Sequence, residues 1–391
     1  MKFNKKNPIH YFIYFYGFAL FNVVYFFVTT ISNKKENDII LYGHNFFGNL
    51  KSLYFELEKN QFSFFYLTLD KHKYNKLKSD NINVLYGLKI KDLITVVKAR
   101  VMVSDHGLHY FSRMINDNDK LFFDVNHGVP FQKWNKKIMK QWYKFTEVWL
   151  LSEFHKNIYV NQFGYEKNNL FITGYGRLDF IENYKKSSNK LETLMTIKKK
   201  YNIPIDKKII LYAPTWIHNN KLIKDEFMLP TNFEFLTLLN EICEELKLFL
   251  IFRPHMNTQL SEKYIKKLQT LSNIKFLPFK KFDNPEDFLI ISDILLTDYS
   301  SISFDYLLLD RPVLFLNVND SFNNGLYMSE TLRFGILTNL KDLKYNISKY
   351  LDSNECYFND TDHLKFKNKI FDIKLYPASE NYVDRIKKYI N

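Results

Sequence analysis

Short apolar runs recur along this chain with stretches of helical periodicity between them, from Asp38 to Asn317. A first series comprises Asp38 to Gly43, Phe62 to Leu69, Ile82 to Gly87, Arg100 to Asp105, Leu121 to Asn126, Val148 to Ser152 and Leu170 to Thr173. Strand-like runs alternating with helical ones predict a parallel sheet covered by helices. The lysine-rich stretch Tyr184 to Lys200 interrupts this pattern and marks the expected domain boundary. A second series follows, with Lys208 to Ala213, Leu248 to Phe252, Ile274 to Leu277, Ile294 to Thr297 and Pro312 to Asn317. The expectation is an α/β chain with two doubly wound domains, residues 36–195 and 196–391, facing each other across a cleft after an N-terminal segment of residues 1–35. Ligands of open α/β sheets bind at the carboxyl ends of strands. There the pattern places His44, His106, His127, Thr215, His255 and Ser300.

The N-terminal segment is of another kind. Asn7 to Asn33 holds no charged residue, and Tyr11 to Ile31 is almost continuously apolar or aromatic, with Lys2, Lys5 and Lys6 before it and Lys34 and Lys35 after. Its length suffices to span a bilayer. Lysines on both sides give no clear inside end, while Tyr11, Tyr14, Tyr16 and Tyr25 suit the headgroup level. Lying in the interface therefore fits as well as spanning. A cleaved signal peptide fits worse, because the stretch is long and lacks a small-x-small site. A buried aromatic helix of the first domain is the remaining alternative.

Composition narrows the function classes. The 391 residues exceed the usual single core, and 38 Phe and 27 Tyr with scarce Gly and Pro describe a core-forming chain. Cys243 and Cys356 supply neither a disulfide framework nor metal-ligand spacing, which suits a reducing cytoplasm and no structural zinc. A formal charge of +13 favours an anionic partner. Lysines are spread along the chain without a compact basic run or ribonucleoprotein motif, so no nucleic-acid partner is expected.

The candidate chemistry sits just after strand patterns. Asp293-Ile-Leu-Leu-Thr-Asp-Tyr-Ser-Ser-Ile-Ser-Phe-Asp-Tyr-Leu-Leu-Leu309 runs from an apolar strand into a hydroxyl-rich turn and then into a helix pattern carried by Ile302, Tyr306 and Leu309. Backbone N–H groups, the positive dipole end and the Ser300 and Ser301 hydroxyls would converge on an anion there, unless the serines serve only as caps. His127-Gly-Val-Pro130 places an imidazole at a strand end, either as a general base or as a satisfied structural histidine. Arg253-Pro-His255 offers a planar phosphate ligand and a further donor, or a strand-end salt bridge. Thr215, in Tyr212-Ala-Pro-Thr-Trp216, is a hydroxyl donor or part of a turn fixed by Pro214. Gly174-Tyr-Gly-Arg-Leu-Asp179 lacks the third glycine of a dinucleotide fingerprint. Asp117-Asn-Asp119, in a polar loop before a strand, reads as solvated surface rather than as a metal site.

Together and in order, His127-Gly-Val-Pro-Phe-Gln-Lys133, Ile210-Leu-Tyr-Ala-Pro-Thr-Trp216, Arg253-Pro-His255 and Asp293 to Ser301 with Phe304-Asp305 resemble the motifs of CDP-glycerol glycerophosphotransferases, the teichoic-acid primases and polymerases. Gly174-Tyr-Gly-Arg-Leu-Asp179 resembles that family's Gly-Tyr-Pro-Arg-x-Asp element. The resemblance implies a GT-B architecture with an acceptor domain, a CDP-donor domain and a C-terminal helix returning to the first domain. It also implies attachment to the cytoplasmic face of the cell membrane, a CDP-polyol donor used as substrate with no cofactor or metal, and a polyprenyl-diphosphate-linked or glycan acceptor. Carried over residue by residue, His127 is the base for the acceptor hydroxyl, and His255 with Arg253 holds the donor diphosphate. Thr215, Ser300 and Ser301 bind phosphate, and Lys133, Arg177, Asp179 and Asp298 complete the substrate-binding set.

The chain departs from the family pattern at Gln132, Gly176, Met256 and Asn324-Gly325, which leaves open which polyol is transferred. A GT-B glycosyltransferase using a nucleotide sugar for surface polysaccharide is the alternative enzyme. A basic membrane-surface scaffold is the non-enzymatic one.

Overall fold

The structure of the chain, a computed structural model, describes residues 8–31, 35–43, 45–129, 144–215, 232–255, 258, 260–279, 281–282, 284–298, 300–318 and 334–390. Contacts divide the chain into two compact units. Met1–His127, Trp134–Asp179 and Phe371–Asn391 make the first, Gly128–Lys133 and Phe180–Ile370 the second.

In the first unit, α1 (Pro8–Ile31) leads into β1 (Glu36–Tyr42), α2 (Gly48–Lys59), β2 (Phe64–Thr68), α3 (Lys71–Ser79), β3 (Val84–Tyr86), α4 (Ile90–Lys98) and β4 (Ala99–Ser104). A 3-10 turn, His109–Asn116, precedes β5 (Leu121–Asp124), β6 (Glu147–Leu150), α5 (Glu153–Ile158) and β7 (Leu170–Ile172). Among the described residues the strands pair in parallel in the order β3-β2-β1-β4-β5-β6-β7. The order reverses at β1, so the loops after β1, β4 and β5 meet at the switch point where α/β sheets bind ligands.

The second unit contains α6 (Asp179–Lys186, from Phe180 on), α7 (Lys190–Lys200), β8 (Ile209–Tyr212), α8 (Phe233–Glu245), β9 (Phe249–Phe252), α9 (Glu262–Leu268) and β10 (Ile274–Phe276). It continues with α10 (Pro285–Ile291), β11 (Ile294–Thr297), α11 (Ile302–Leu307), β12 (Val313–Leu316), β13 (Ile336–Thr338), α12 (Leu343–Asp352), α13 (Asn354–Asp360) and α14 (His363–Ile370). Its parallel sheet runs β10-β9-β8-β11-β12-β13. The edge strand β13 has no counterpart among the expected runs. The polar stretch Tyr184–Lys200 belongs to α6 and α7, which are tied into this unit. Lys200 Nζ and the Tyr201 hydroxyl reach Asp287 at 2.8 and 2.7 Å.

The last helix, α15 (Ala378–Ile390), rejoins the first unit. Tyr382 stacks on Trp149 with ring centroids 5.0 Å apart. The fully buried Glu147 accepts from Trp149 Nε1 (2.7 Å), Arg385 Nε (2.8 Å) and the Tyr389 hydroxyl (2.7 Å). These donors satisfy the buried carboxylate's oxygens and tie α15 to β6.

Helix α1 packs one face on the first unit. Phe21 is buried edge-on against Phe111, Arg113 Nη1 donates to Asn22 Oδ1 at 2.9 Å, and the Tyr25 hydroxyl reaches Asp117 Oδ2 at 3.4 Å. Asp117 also pairs with Lys35 at 2.7 Å, both side chains nearly covered, which corrects its reading as solvated surface. The opposite face of α1 stays exposed at Phe12, Phe15, Tyr16, Val23, Phe26, Phe27 and Ile31.

Candidate active site

Strand β5 ends in a locally determined turn. Asn126 adopts a left-handed conformation with φ 54°, which asparagine tolerates, and its amide donates to Asp124 Oδ1 at 2.7 Å. Desolvation pushes the buried Asp124 carboxyl up to about 7, against the pull of that amide. The Asn126 side chain accepts from the His127 amide (2.8 Å) and donates to the buried Tyr159 hydroxyl.

His127 is therefore held on several sides. Arg177 Nη1 donates to its carbonyl at 2.9 Å. Asn49, buried at the start of α2, donates to the Val125 and Asn126 carbonyls (3.0 Å each) and accepts from the Arg177 amide (3.2 Å). The ring Nδ1 lies 3.1 Å from the Asp105 carbonyl. A carbonyl only accepts, so Nδ1 carries the proton and Nε2 keeps a lone pair. Desolvation and then His106 hold the imidazolium below the usual histidine range. The Asp105 carboxylate and carbonyl oppose them, and Arg177 adds to the depression. The ring keeps an exposed face, so water screens part of this penalty.

Asp179 caps α15, accepting from the Ala378 and Ser379 amides at 2.6 and 3.0 Å. Between Arg177 and α15, the Gly176 amide donates to the Tyr382 hydroxyl at 2.9 Å, and a Cβ on Gly176 would meet Ser52 Cβ at 2.9 Å. A proline, as in the family pattern, would lack that N–H.

In the second unit the ends of β9, β8 and β11 are consecutive in the sheet, so Arg253, His255, Thr215 and the Asp298–Ser301 turn share one edge. Asp298 ties them together. It accepts from the Thr215 amide (2.9 Å to Oδ1) and hydroxyl (2.6 Å to Oδ2). Burial pushes its carboxyl up to about 6, while those bonds and the Ser300 amide pull it down. The Thr215 hydroxyl proton is thus committed to Asp298. Ser301 makes no side-chain cap and is exposed, so its hydroxyl is not a helix cap. Helix α11 has six residues, so local amides and hydroxyls outweigh the dipole. Gly128, grouped with this unit, would carry a Cβ 3.5 Å from Ser301 Oγ.

Arg253 is buried under Phe279 and Phe288, with its guanidinium carbon 5.3 and 4.7 Å from their centroids, and it donates to the Leu277 carbonyl at 3.1 Å. This bridges β9 to the segment after β10. His255 is exposed at the same edge. Lys133, His44, Gln132, Trp216, Met256, Tyr299 and Asn324-Gly325 lie outside the described residues. Asn49 was missed by sequence reasoning, and nothing local signals it. Asn126 was not singled out either, although its place directly before His127 is a signal.

Residues 24–388 match the family model described as CDP-Glycerol:Poly(glycerophosphate) glycerophosphotransferase. The chain is 28% identical over 302 residues to the teichoic acid poly(glycerol phosphate) polymerase of Bacillus spizizenii, covering 70% of this chain and 71% of that protein. It is 27% identical over 252 residues to the teichoic acid poly(ribitol-phosphate) polymerase of the same species, covering 61% and 39%. With the teichoic acid glycerol-phosphate primase of Bacillus subtilis it shares 29% identity over 181 residues, 46% and 42% of the two chains. In fold it resembles the wall teichoic acid polymerase TagF, with a TM-score of 0.76 at 19% identity over 96% of this chain and 93% of that one.

Proposed function

The chain belongs to the CDP-glycerol:poly(glycerophosphate) glycerophosphotransferase family, and from that premise we propose that His127 and the β8, β9 and β11 strand ends carry out transfer of polyol phosphate from a CDP-polyol. The enzyme is a CDP-glycerol glycerophosphotransferase of teichoic-acid-type synthesis. The observation that carries the site assignment is the ring of His127, whose Nδ1 is engaged by the Asp105 carbonyl so that Nε2 can accept a proton. An acceptor hydroxyl gives its proton to Nε2 while its oxygen attacks the β-phosphorus of the donor. The bond to the α-phosphate oxygen breaks and CMP departs. An imidazole held below the usual histidine range is already unprotonated at neutral pH, as a base must be.

In the donor-binding unit the reading gives His255 and the exposed Ser301 hydroxyl to the diphosphate, with Ser300 beside them. Arg253 and Asp298 act by fixing the strand ends that present these donors. Fixed donors stabilise charge developing on the transferred phosphoryl group. Glycerol is the favoured polyol, since the first relative polymerises glycerol phosphate and a TagF structure was soaked with CDPG.

The reading places the enzyme at the cytoplasmic face of the membrane, with a lipid-linked or glycan acceptor. Helix α1 is long and apolar enough to cross a bilayer. The contacts of Phe21, Asn22 and Tyr25 with the first unit favour a helix lying along the surface, its exposed aromatic side chains entering lipid. Purified full-length protein with vesicles, a lipid-linked acceptor and each candidate donor tests the assignment. CMP release from CDP-glycerol or CDP-ribitol is expected. Release of UDP or CMP from a nucleotide sugar, with none from either CDP-polyol, contradicts it.

A further inference from the structure

Asp105 holds two imidazoles at once. Its carbonyl oxygen is 3.1 Å from Nδ1 of His127, and its carboxylate Oδ1 is 2.7 Å from Nδ1 of His106. The two rings are stacked, with centroids 4.3 Å apart and planes 14° from parallel. We infer that Asp105 and His106 form a positioning clamp for the base, with the Asp105 carbonyl fixing His127 as its Nδ1–H tautomer, the Asp105 carboxylate in ion-pair range of His106, and His106 setting the ring plane and basicity of His127.

The chemistry follows from the acceptors. A carbonyl only accepts, so the His127 ring presents its Nδ1 proton to Asp105 and leaves Nε2 as the lone-pair nitrogen, while the carboxylate stands 2.7 Å from His106 Nδ1 as a counter-charge. When His127 takes the acceptor proton, a cation forms against the face of His106. The clamp resists a second cation there, so the two rings titrate as a coupled pair. The Asp105 carboxylate stabilises whichever ring is charged. It is itself fixed in place, with its side chain nearly fully buried and Oδ1 closely packed against Gly43, where a Cβ would approach to 2.9 Å.

The charged and titratable groups around His127 come from several elements. Asp105 and His106 follow β4, Asp124 ends β5, His155 lies on α5, and Arg177 follows β7. His155 is fully buried, and desolvation holds it well below the usual histidine range, so it stays neutral. Arg177 is charged throughout, and burial pushes Asp124 toward its neutral form. Among the described residues, that leaves Asp105 and His106 as the groups whose removal changes the potential at His127 most directly.

The inference rests on the reading of His127 as the base, so its test includes a measurement that needs no turnover. Long-range proton–nitrogen NMR of the histidine-labelled full chain reports the tautomer and titration midpoint of His127. In wild type, the His127 ring should be the Nδ1–H tautomer. His106→Phe keeps an aromatic face on His127 but removes the second imidazole, so the His127 midpoint should rise by about one pH unit. Asp105→Asn keeps the shape of the side chain and the backbone carbonyl but removes the negative charge, so the midpoint should fall by about one unit. The acid limb of kcat/KM with CDP-glycerol should move in the same two directions. An Nε2–H tautomer of His127, or midpoints that stay put or move together in the two variants, overturns the clamp. Midpoints that move as stated, in a protein inactive with every CDP-polyol, uphold the clamp and sink the transferase assignment instead.

Discussion

At the carboxyl end of the first sheet, His127 is held through its amide, its carbonyl and its ring nitrogen. At the corresponding end of the second sheet, His255 and Ser301 project exposed side chains from a framework in which Asp298 and Arg253 are the buried parts. The first arrangement fixes one atom, Nε2, and its protonation state. The second fixes backbone and leaves donor groups outward. A base must be set before the reaction, whereas donors for a flexible diphosphate need only converge when it binds.

The contrast is most severely tested by His127→Ala. Turnover should fall by roughly 10³-fold, the range for loss of a general base, with the Kd for CDP-glycerol unchanged by calorimetry. A weakened donor affinity would erase the difference between the two ends. His255→Ala should lower turnover by about 10²-fold and also weaken CDP-glycerol binding, as removal of one charge-stabilising donor does. Unchanged affinity there would move His255 out of the donor site.

Asn49→Leu leaves the Val125 and Asn126 carbonyls and the Arg177 amide without their shared partner. It should cost about 1–3 kcal/mol of stability in denaturant unfolding, and the misplaced base should lower kcat by about tenfold. Full activity would show that the packing around His127 is not what positions it.

Asp298 gives the smallest and most specific effect. Its folded-state carboxyl is pushed up to about 6 from an ordinary value of 3.8, so the fold favours the protonated form. The stability it contributes is present below about 4 and is lost as pH rises through about 6. Asp298→Asn should flatten that stretch of the Tm-against-pH curve. It should also lower Tm, because an amide N–H₂ replaces an oxygen that accepts from Thr215. An unaltered slope would locate the pH dependence elsewhere.

Much of this architecture is legible in the chain because parallel strands are buried on both faces. Ile294 to Thr297, read as a strand, is β11 to the residue, and its hydroxyl-rich turn stands beside Thr215 as the strand ends require. Strand β13 was not legible: it is three residues long at a sheet edge, with Leu337 half exposed, and its two apolar residues are too short a run to mark a strand. Asn49 was not legible either, because its partners lie more than seventy residues away and only the fold brings them together. Asp117 looked like surface for the same reason, since Tyr25 and Lys35, which cover it, are also remote in sequence. Thr215 was legible as a strand-end hydroxyl, but the direction of its proton depends on Asp298, which only the sheet order places opposite it.

The central claim is that His127 activates an acceptor for attack on a CDP-polyol. Phosphorus NMR of wild type and His127→Ala, each with CDP-glycerol and a lipid-linked acceptor, tests it in one experiment. Wild type should convert the diphosphate resonances into equal amounts of CMP and a new phosphodiester, and the variant should bind the donor yet leave it intact. Equal conversion by both proteins, or CMP formed with no new phosphodiester, would contradict the claim.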